Sequence, residues 1–349
     1  MADGLAVGLV GFGLAGRVFH APLIRASGME IVGVVSRQRE AVSGMLPAAR
    51  VCADLAELLS LPRLDLVVIA TPNDLHESQA LASLAAGKPV VVDKPMALHV
   101  AGVERTMRAA REAGQLLVPF HNRRWDSDFL TVQRLIGAAQ LGPVHTYEAF
   151  WDRYRPRVPD RWRESETHGG GLLFDLGTHL IDQALLLFGS PEWLQADVYC
   201  QRAGATVDDA FDIRMGRGRL RIVLGASALA ASPRPRFRVS GDRACYVKQG
   251  VDPQEDQLRA GLQPHAAEFG VENAALSGQL ISGESQASSI VPSERGGWTA
   301  FYDGVRASVE TGAPPPVSAS QARQVLQVIE AARLSSRTGA RVTLAAAAP

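Results

Sequence analysis

The sequence contains few cysteines and has no excess of charge of either sign. Three cysteines, Cys52, Cys200 and Cys245, occur at wide spacing among 349 residues. An odd, scattered set fits neither a disulfide framework nor a paired-cysteine metal motif, so each cysteine is most simply a small core residue. Lysine plus arginine (36) equals aspartate plus glutamate (36). The sequence therefore predicts no overall attraction to nucleic acid or to an anionic membrane.

Long hydrophobic runs are also missing. The longest, such as 66–70, are far shorter than the roughly 20 residues that a spanning helix needs. The apolar stretch 4–16 lacks a basic start and is interrupted by glycines, which is typical of a strand and tight turn and not of a secretory signal. The composition, 46% hydrophobic and 21% charged, is that of a globular chain of about two domains. We therefore expect a soluble cytoplasmic protein that contacts neither membrane nor nucleic acid.

The first 122 residues alternate short apolar runs with helical patterns. The runs that predict strands are 5–10, 30–35, 64–70, 89–92 and 115–120, with a weaker one near Val51. Their apolar residues are continuous and do not alternate with polar ones, which indicates strands buried on both faces, as in a parallel sheet covered by helices. The pattern predicts an α/β domain over 1–122 with a doubly wound parallel sheet of the Rossmann type.

After residue 122 the pattern changes to grouped strands and helices. Strands are predicted at 144–151, 193–200, 211–215, 220–224, 237–240 and 244–248, and helices at 129–136, 171–188, 298–310 and 318–336. The polar stretch 251–293 is interpreted as an excursion from the core, and the tail 345–349 as frayed. Segregated elements of this kind predict an α+β domain over 123–349 with a large, mostly antiparallel open sheet.

A glycine-rich turn directly follows the first predicted strand and begins a helix. Its residues match the pattern GxGxxG and are Gly11, Phe12, Gly13, Leu14, Ala15 and Gly16. In this setting the first glycine permits the tight turn, the second lets the backbone approach a pyrophosphate, and the third lets the helix pack closely on the strand. The alternative is a glycine turn without a ligand. The position after a strand favours dinucleotide binding.

The end of the second predicted strand indicates which dinucleotide is bound. An NAD-selective site usually has an acidic residue there, whereas this strand ends in Ser36 and Arg37. A hydroxyl and a guanidinium suit the 2′-phosphate of NADP through charge-assisted hydrogen bonds. Solvated loop residues are the alternative. The sequence favours NADP and leaves NAD possible.

Candidate catalytic residues lie in both predicted domains. Lys94 follows the fifth strand, at the sheet edge where ligands bind in open α/β folds. On the predicted helix 171–188, Asp175, His179 and Asp182 form one polar stripe among apolar residues. A buried polar stripe must be paired or must face a cavity, so a core network and a catalytic site are both possible. A metal site is the least favoured alternative, because no further His or Cys cluster completes a shell.

Several motifs in order along the chain resemble those of the Gfo/Idh/MocA oxidoreductases. Besides the glycine turn and the Asp175–His179 helix, they are Thr71-Pro72-Asn73 with His76, Gly87-Lys88-Pro89 and Asp93-Lys94-Pro95. Three further motifs resemble the family branch that contains NADP-linked scyllo-inositol dehydrogenases: Phe19-His20-Ala21-Pro22, His121-Asn122-Arg123-Arg124-Trp125-Asp126 and Asp160-Arg161-Trp162-Arg163-Glu164. The family more often has glutamate where this chain has Asp93.

The resemblance implies a role for each matching residue. Lys94 would contact the reacting hydroxyl, His179 would exchange its proton, and Asp175 would bind substrate and position the histidine. The implied cofactor contacts are Gly11 to Gly16, Ser36, Arg37, Thr71, Pro72, Asn73, His76, Asp93, Lys94 and Asn122. The implied substrate contacts are Lys94, Arg123, Trp125, Trp162, Asp175 and His179. The family also implies a homodimer or homotetramer built by the second domain.

The resemblance leads to a function and leaves alternatives open. We predict an NADP(H)-dependent oxidoreductase of a cyclic polyol, with scyllo-inositol and its inosose as the first substrate pair. The arginine-rich stretch 153–163 could indicate a phosphorylated substrate, but interleaved acidic residues such as Asp152 and Glu164 favour a salt-bridged loop and a neutral substrate. The rivals are an oxidoreductase of another sugar and a non-catalytic dinucleotide-binding regulator.

Overall fold

The computed structural model describes residues 4–159 and 162–344, which form two compact units. The first unit contains the residues up to 122 together with 254–269 and 297–323. The second contains 123–253, 270–296 and the residues from 324 onward. Asp160 and Arg161 of the predicted substrate motif and the tail 345–349 lie outside the described residues, as does the side chain of Arg163.

The first unit is built on a six-stranded sheet in which every neighbouring pair is parallel. In chain order the strands are β1 (Ala6–Val10), β2 (Glu30–Val35), β3 (Arg50–Cys52), β4 (Leu66–Ile69), β5 (Val90–Val92) and β6 (Leu117–Pro119). Their order in the sheet is β3-β2-β1-β4-β5-β6. Every residue of β1, β4, β5 and β6 is buried, as continuous apolar strands require.

Helices connect these strands, and capping residues mark the start of one helix and the end of another. The helices are α1 (Ala21–Ala26), α2 (Arg39–Met45), α3 (Leu55–Leu59), α4 (His76–Ala85) and α5 (Val100–Ala113). The Asp54 carboxylate accepts a hydrogen bond from the Glu57 N–H at 2.9 Å and so caps the start of α3. Gly114 ends α5 in the left-handed conformation at φ 62°.

The second unit contains a nine-stranded sheet and, before residue 190, two α-helices of 11 residues each. The helices are α6 (Ser127–Gly137) and α7 (Thr178–Phe188). The strands are β7 (Val144–Phe150), β8 (Trp193–Tyr199), β9 (Ala210–Arg217), β10 (Leu220–Ser227), β11 (Phe237–Gly241), β12 (Ala244–Lys248), β13 (Gly278–Ser282), β14 (Ser288–Val291) and β15 (Val342–Thr343). Their order is β14-β13-β12-β11-β7-β10-β9-β8-β15, and only β7 and β10 pair in parallel. The predicted fold class is confirmed in both units.

The stretch 251–293 differs from the polar excursion that the sequence predicted. It contains α8 (Gln254–Arg259), and β13 and β14 extend the nine-stranded sheet from within it. Its apolar residues explain the order: Leu258 and Phe269 are both buried. By its contacts, the segment 254–269 groups with the first unit.

Residues 297–323 also return to the first unit, through an aromatic cluster. This segment contains α9 (Thr299–Thr311), and α10 (Ala319–Thr338) begins within it. Trp298 packs edge-on against Phe19 at 5.8 Å, and Phe301 packs edge-on against Phe120 at 4.8 Å between ring centroids. These rings are separated by about 180 to 280 residues in the chain, so only tertiary packing brings them together.

Two helix starts are π-helical where the sequence predicted regular α-helix. One π-helical turn, 15–20, follows the glycine turn, and the other, 173–177, precedes α7. Such wide turns occur frequently at functional sites. By length and composition alone, the stretch 166–188 could cross a membrane, but about two thirds of its most apolar window is buried inside the protein, as it would be for a core helix.

Candidate functional site

The residues predicted to contact the cofactor follow the carboxyl ends of strands in the six-stranded sheet. Gly11 follows β1, Ser36 follows β2, Thr71 lies two residues beyond β4, Asp93 follows β5 and Asn122 lies three residues beyond β6. Because these strands are parallel, their ends lie at one edge of the sheet, where open α/β folds bind ligands. These predicted cofactor residues therefore lie at the carboxyl edge of the six-stranded sheet.

The glycine turn has one open position and two closed ones. A Cβ on Gly11 would meet the Ala70 carbonyl at 2.5 Å, and Gly11 has φ 100°, which favours glycine. A Cβ on Gly16 would collide with the Gly11 carbonyl. At Gly13, by contrast, a Cβ would meet nothing within 4 Å. This open face at the start of a helix leaves room for a pyrophosphate beside backbone N–H groups, so the turn fits a dinucleotide.

Ser36 and Arg37 lie beside this turn. The Gly11 N–H donates to the Val35 carbonyl at 3.0 Å, which joins the end of β2 to the start of the glycine turn. Ser36 Oγ accepts a hydrogen bond from the Gln38 N–H at 3.0 Å, and Arg37 is exposed. An exposed guanidinium at this place is available to a phosphate group on the cofactor ribose.

His76 connects two loops at the same edge. Its Nε2 lies 2.9 Å from the Thr71 carbonyl oxygen, and its Nδ1 lies 2.7 Å from the Pro95 carbonyl oxygen. Both partners are acceptors, and a neutral imidazole carries only one N–H. Burial lowers the pKa of His76, while the Asp93 carboxylate acts in the opposite direction. The ring fixes the loop that carries Lys94 relative to the loop after β4.

Asp93 is a partly buried carboxylate with nearby positive and polar groups. Its Oδ1 accepts a hydrogen bond from the Lys94 N–H at 2.7 Å, and its Oδ2 lies 3.6 Å from His20 Nε2. Burial raises the pKa of Asp93, but His20, Lys94 and His76 outweigh it and hold that pKa at about 2. Asp93 is therefore ionised across the physiological range.

In the second unit, the turn that carries Asp175 is capped by a carboxylate from a distant loop. Asp208 Oδ2 accepts a hydrogen bond from the Leu173 N–H at 2.6 Å, and the Asp208 carbonyl accepts one from the Leu172 N–H at 2.7 Å. Burial raises the pKa of Asp208 despite the Leu173 contact. Gly171, at φ 112°, lies so close to Asp208 that a Cβ would collide with it. Asp208 thus fixes where the helix with Asp175 and His179 begins.

His179 is buried next to aromatic and cationic side chains. The centroid of its ring lies 6.5 Å from that of Trp151, over which the Arg123 guanidinium stacks at 4.3 Å. Gln183, one turn further along α7, donates to the Arg123 carbonyl at 2.8 Å. These contacts bring the predicted substrate residue Arg123 into the neighbourhood of His179. Asp175 is partly exposed on the preceding turn.

The third member of the polar stripe, Asp182, belongs to the core. Arg124 donates to both of its carboxylate oxygens, from Nε at 2.8 Å and from Nη2 at 2.7 Å. Both side chains are buried. A bidentate pair of this kind satisfies the carboxylate, so the stripe divides into a structural Asp182 and the predicted catalytic residues Asp175 and His179.

The remaining predicted substrate residues and the arginine-rich stretch lie elsewhere in the second unit. Trp125 is half-buried beside Arg124, and Trp162 is half-buried in a short helical turn at 162–164. The interleaved acidic residues are paired outside the stretch: Asp152 with Arg234 at 2.8 Å and Glu164 with Arg202 at 2.7 Å. Both carboxylates are salt-bridged, and their arginine partners lie outside the stretch.

Sequence reasoning missed several residues that the structure places at these sites. Trp151 directly follows β7 and lies beside His179, and Tyr302 of α9 contacts His20. The first could have been suspected from its place at the end of an alternating strand, whereas nothing in the sequence links Tyr302 to position 20. Across 4–159 and 162–344, no group of three His, Cys, Asp or Glu side chains is arranged to hold a metal ion.

The two units together define the class of this protein. A Rossmann sheet with a glycine turn after its first strand, followed by an α/β unit with a large open sheet, is typical of dinucleotide-dependent oxidoreductases. Residues 5–121 match the model described as "Oxidoreductase family, NAD-binding Rossmann fold", and residues 133–344 match "Oxidoreductase family, C-terminal alpha/beta domain". The chain belongs to the Gfo/Idh/MocA oxidoreductase family, and its first unit is a nicotinamide-dinucleotide-binding domain.

Similar proteins match nearly the whole chain. Scyllo-inositol 2-dehydrogenase (NADP(+)) IolW from Bacillus subtilis is 38% identical over 338 residues, covering 96% of this chain and 94% of the relative. The uncharacterised oxidoreductase YdgJ from Escherichia coli is 38% identical over 346 residues, covering 99% of this chain and all of the relative. The solved structure of YvaA from Bacillus subtilis is 37% identical, with a TM-score of 0.96 and 99% of both chains covered.

Proposed function

We propose that this protein is an NADP(H)-dependent oxidoreductase that interconverts a secondary alcohol and a ketone on a cyclic polyol. Scyllo-inositol and its inosose are the first candidate pair. The similarity to the Bacillus scyllo-inositol 2-dehydrogenase, with nearly complete coverage of both chains, supports the substrate class. The exposed Arg37 beside the glycine turn is the observation that carries the choice of NADP.

Each predicted catalytic residue has a chemical task in this proposal. The bound nicotinamide supplies or accepts the hydride. The Lys94 ammonium holds the reacting oxygen and stabilises the negative charge that develops there. His179 takes the hydroxyl proton during oxidation and returns it during reduction, a task that imidazole side chains perform more often than any other. Asp175 orients His179 and binds a substrate hydroxyl.

The activity test is a set of initial rates. NADPH and NADH oxidation would be followed with inososes, uronates and aldoses as carbonyl substrates, and without substrate as the control. We expect NADPH-dependent reduction of an inosose. Reduction of an aldose alone would move the substrate to another sugar. Tight NADPH binding without reduction of any carbonyl would favour the dinucleotide-binding regulator.

The cofactor assignment is tested by Arg37→Ala. Loss of the guanidinium removes a charge-assisted contact that only the 2′-phosphate makes, so the KM for NADPH should rise about tenfold or more while that for NADH changes little. Arg25→Ala is the matched control, because Arg25 is an exposed arginine at the far end of α1. An equal change for both cofactors would contradict the assignment.

The proposal includes self-association into a homodimer or homotetramer. The family resemblance is its only support, and the nine-stranded sheet of the second unit is the surface that the resemblance implies. Sedimentation equilibrium of the purified chain measures the mass directly. A monomer at micromolar concentration would contradict this part of the proposal without affecting the activity.

A further inference from the structure

Three polar side chains from separate segments meet inside the first unit. They are His20 on the π-helical turn after the glycine turn, Asp93 after β5 and Tyr302 on α9. The Tyr302 hydroxyl lies 2.6 Å from His20 Nδ1, and His20 Nε2 lies 3.6 Å from Asp93 Oδ2. The other Asp93 oxygen accepts the Lys94 N–H. The groups form a row that ends at Lys94.

The direction of the row depends on the tautomer of His20. Burial raises the pKa of the Tyr302 hydroxyl well above its ordinary value, so the phenol keeps its proton and can donate it to an Nδ1 that carries none. In that tautomer the imidazole N–H is on Nε2, which faces the Asp93 carboxylate. The separation of 3.6 Å is longer than a hydrogen bond, and the buried His20 Nε2 has no hydrogen-bond partner among the described residues.

The surroundings of His20 leave it few other partners. The imidazole and Tyr302 are fully buried. The Phe120 ring lies 4.2 Å from the His20 ring, and Tyr302 packs against Phe301 at 5.2 Å between centroids. The charged and titratable groups that act on Asp93 are His20, Lys94 and His76. In this apolar environment the electrostatic attraction between an imidazole N–H and the carboxylate is stronger than it would be in water.

We propose that His20 and Tyr302 are positioning residues for Lys94. Tyr302 sets the tautomer of His20, His20 holds the Asp93 carboxylate, and Asp93 holds the Lys94 backbone and keeps a negative charge beside its ammonium group. The inference rests on the catalytic role given to Lys94 in the proposed function. It assigns a task to a histidine and a tyrosine that lie 282 positions apart in the chain.

The first test measures the tautomer of His20 and does not depend on enzymatic activity. Tyr302→Phe removes only the hydroxyl, and Tyr147→Phe is the matched control, since Tyr147 is also fully buried and its hydroxyl has no hydrogen-bond partner among the described residues. Nitrogen NMR of histidine-labelled protein, with His20→Gln to identify the signal, should show the proton on Nε2 in the parent. The preference for a proton on Nε2 should be lost in Tyr302→Phe and kept in Tyr147→Phe. A proton on Nδ1 in the parent would overturn the proposal.

The second test measures how fast the Lys94 ammonium group is acetylated. The sequence has only three lysines, Lys88, Lys94 and Lys248, so acetylation at each is separable by mass spectrometry. In Tyr302→Phe, Lys94 should be acetylated about three- to tenfold faster, the factor that corresponds to one lost hydrogen bond, with Lys88 as internal reference. Asp93→Asn provides a second variant with the same expectation. Equal Lys94 rates in Tyr302→Phe and Tyr147→Phe would overturn the proposal.

The kinetic arm separates this inference from the proposed function. With whichever carbonyl the parent reduces, Tyr302→Phe should lower kcat and leave the KM for NADPH unchanged, while Tyr147→Phe changes neither. If the parent reduces no carbonyl, the proposed function fails, and the NMR and acetylation results still decide whether His20 and Tyr302 position Lys94. A raised KM for NADPH with unchanged kcat would instead place them in cofactor binding and overturn the inference.

Discussion

The buried carboxylates of the two units have different partners. In the second unit, Asp182 is held by the Arg124 fork, and Asp128 is held by Arg236 at 3.0 Å. In the first unit, Asp93 faces a histidine at 3.6 Å and neighbours Lys94. An arginine keeps its charge at any physiological pH, so its pairs are permanent structure. The arginine pairs therefore stabilise the fold, whereas Asp93 lies next to the proposed catalytic residue Lys94.

On α7, Asp182 is paired with an arginine, whereas His179 is the proposed proton carrier. Substitution of His179 should have the largest effect on activity. His179→Ala removes the proposed proton carrier, so kcat for the reduced carbonyl should fall about a hundred- to ten-thousand-fold, while NADPH binding stays intact. His145→Ala, an exposed histidine of β7, is the control and should keep full turnover. Steady-state kinetics and cofactor titration measure both. Full turnover in His179→Ala would place His179 in the core network with Asp182.

Asp182→Ala should act on stability. The substitution leaves the Arg124 guanidinium buried without its carboxylate, which costs about 3–5 kcal/mol of unfolding free energy. Urea denaturation measures the loss. Glu310→Ala removes one partner of an exposed pair with Arg306 and should cost about 1 kcal/mol or less. If the two variants lost equal stability, the distinction between the buried and exposed pairs would be wrong.

The smallest effect concerns the acid stability that Asp93 contributes. Its pKa is about 2 in the folded protein and 3.8 in the ordinary state, so the folded protein favours the ionised form. The resulting stabilisation, about 2 kcal/mol, is present above pH 3.8 and is lost as pH falls toward 2.

Denaturation of the parent and of Asp93→Asn between pH 2 and 6 tests this contribution. The difference in unfolding free energy should be constant at the upper end and should shrink at the lower end. Asp303→Asn, which changes an exposed carboxylate on α9, is the control for a general charge effect. A difference that does not depend on pH would show that Asp93 acts only through its shape.

The local patterns of the sequence predicted most elements closely. Strand β2 has the predicted bounds, Glu30–Val35, and β12 has the predicted bounds, Ala244–Lys248. Both have a strong period or a continuous apolar run, and such runs must be buried wherever they occur. The π-helical turns at 15–20 and 173–177 were not predictable, because they have the same apolar spacing as an ordinary helix.

The site divides in the same way. The glycine turn, Ser36, Arg37 and Lys94 could be assigned to one edge of the sheet from their places after predicted strands, and their contacts with cofactor and substrate stay predictions. The partners of Asp182 and His20 could not be predicted, because Arg124 lies 58 positions and Tyr302 282 positions away from them. A spacing along one helix shows which side chains share a face, but not which distant side chain will pair with them.

The sequence by itself therefore determined the parallel and antiparallel sheets, the glycine turn and the list of candidate catalytic residues, because these depend on local periodicity and on residue type. Tertiary structure decided that 254–269 and 297–323 group with the first unit, that Asp182 is paired with Arg124, and that Tyr302 contacts His20. Each of those outcomes depends on contacts between residues far apart in the chain, whose energies exist only once the backbone has brought them within a few ångströms.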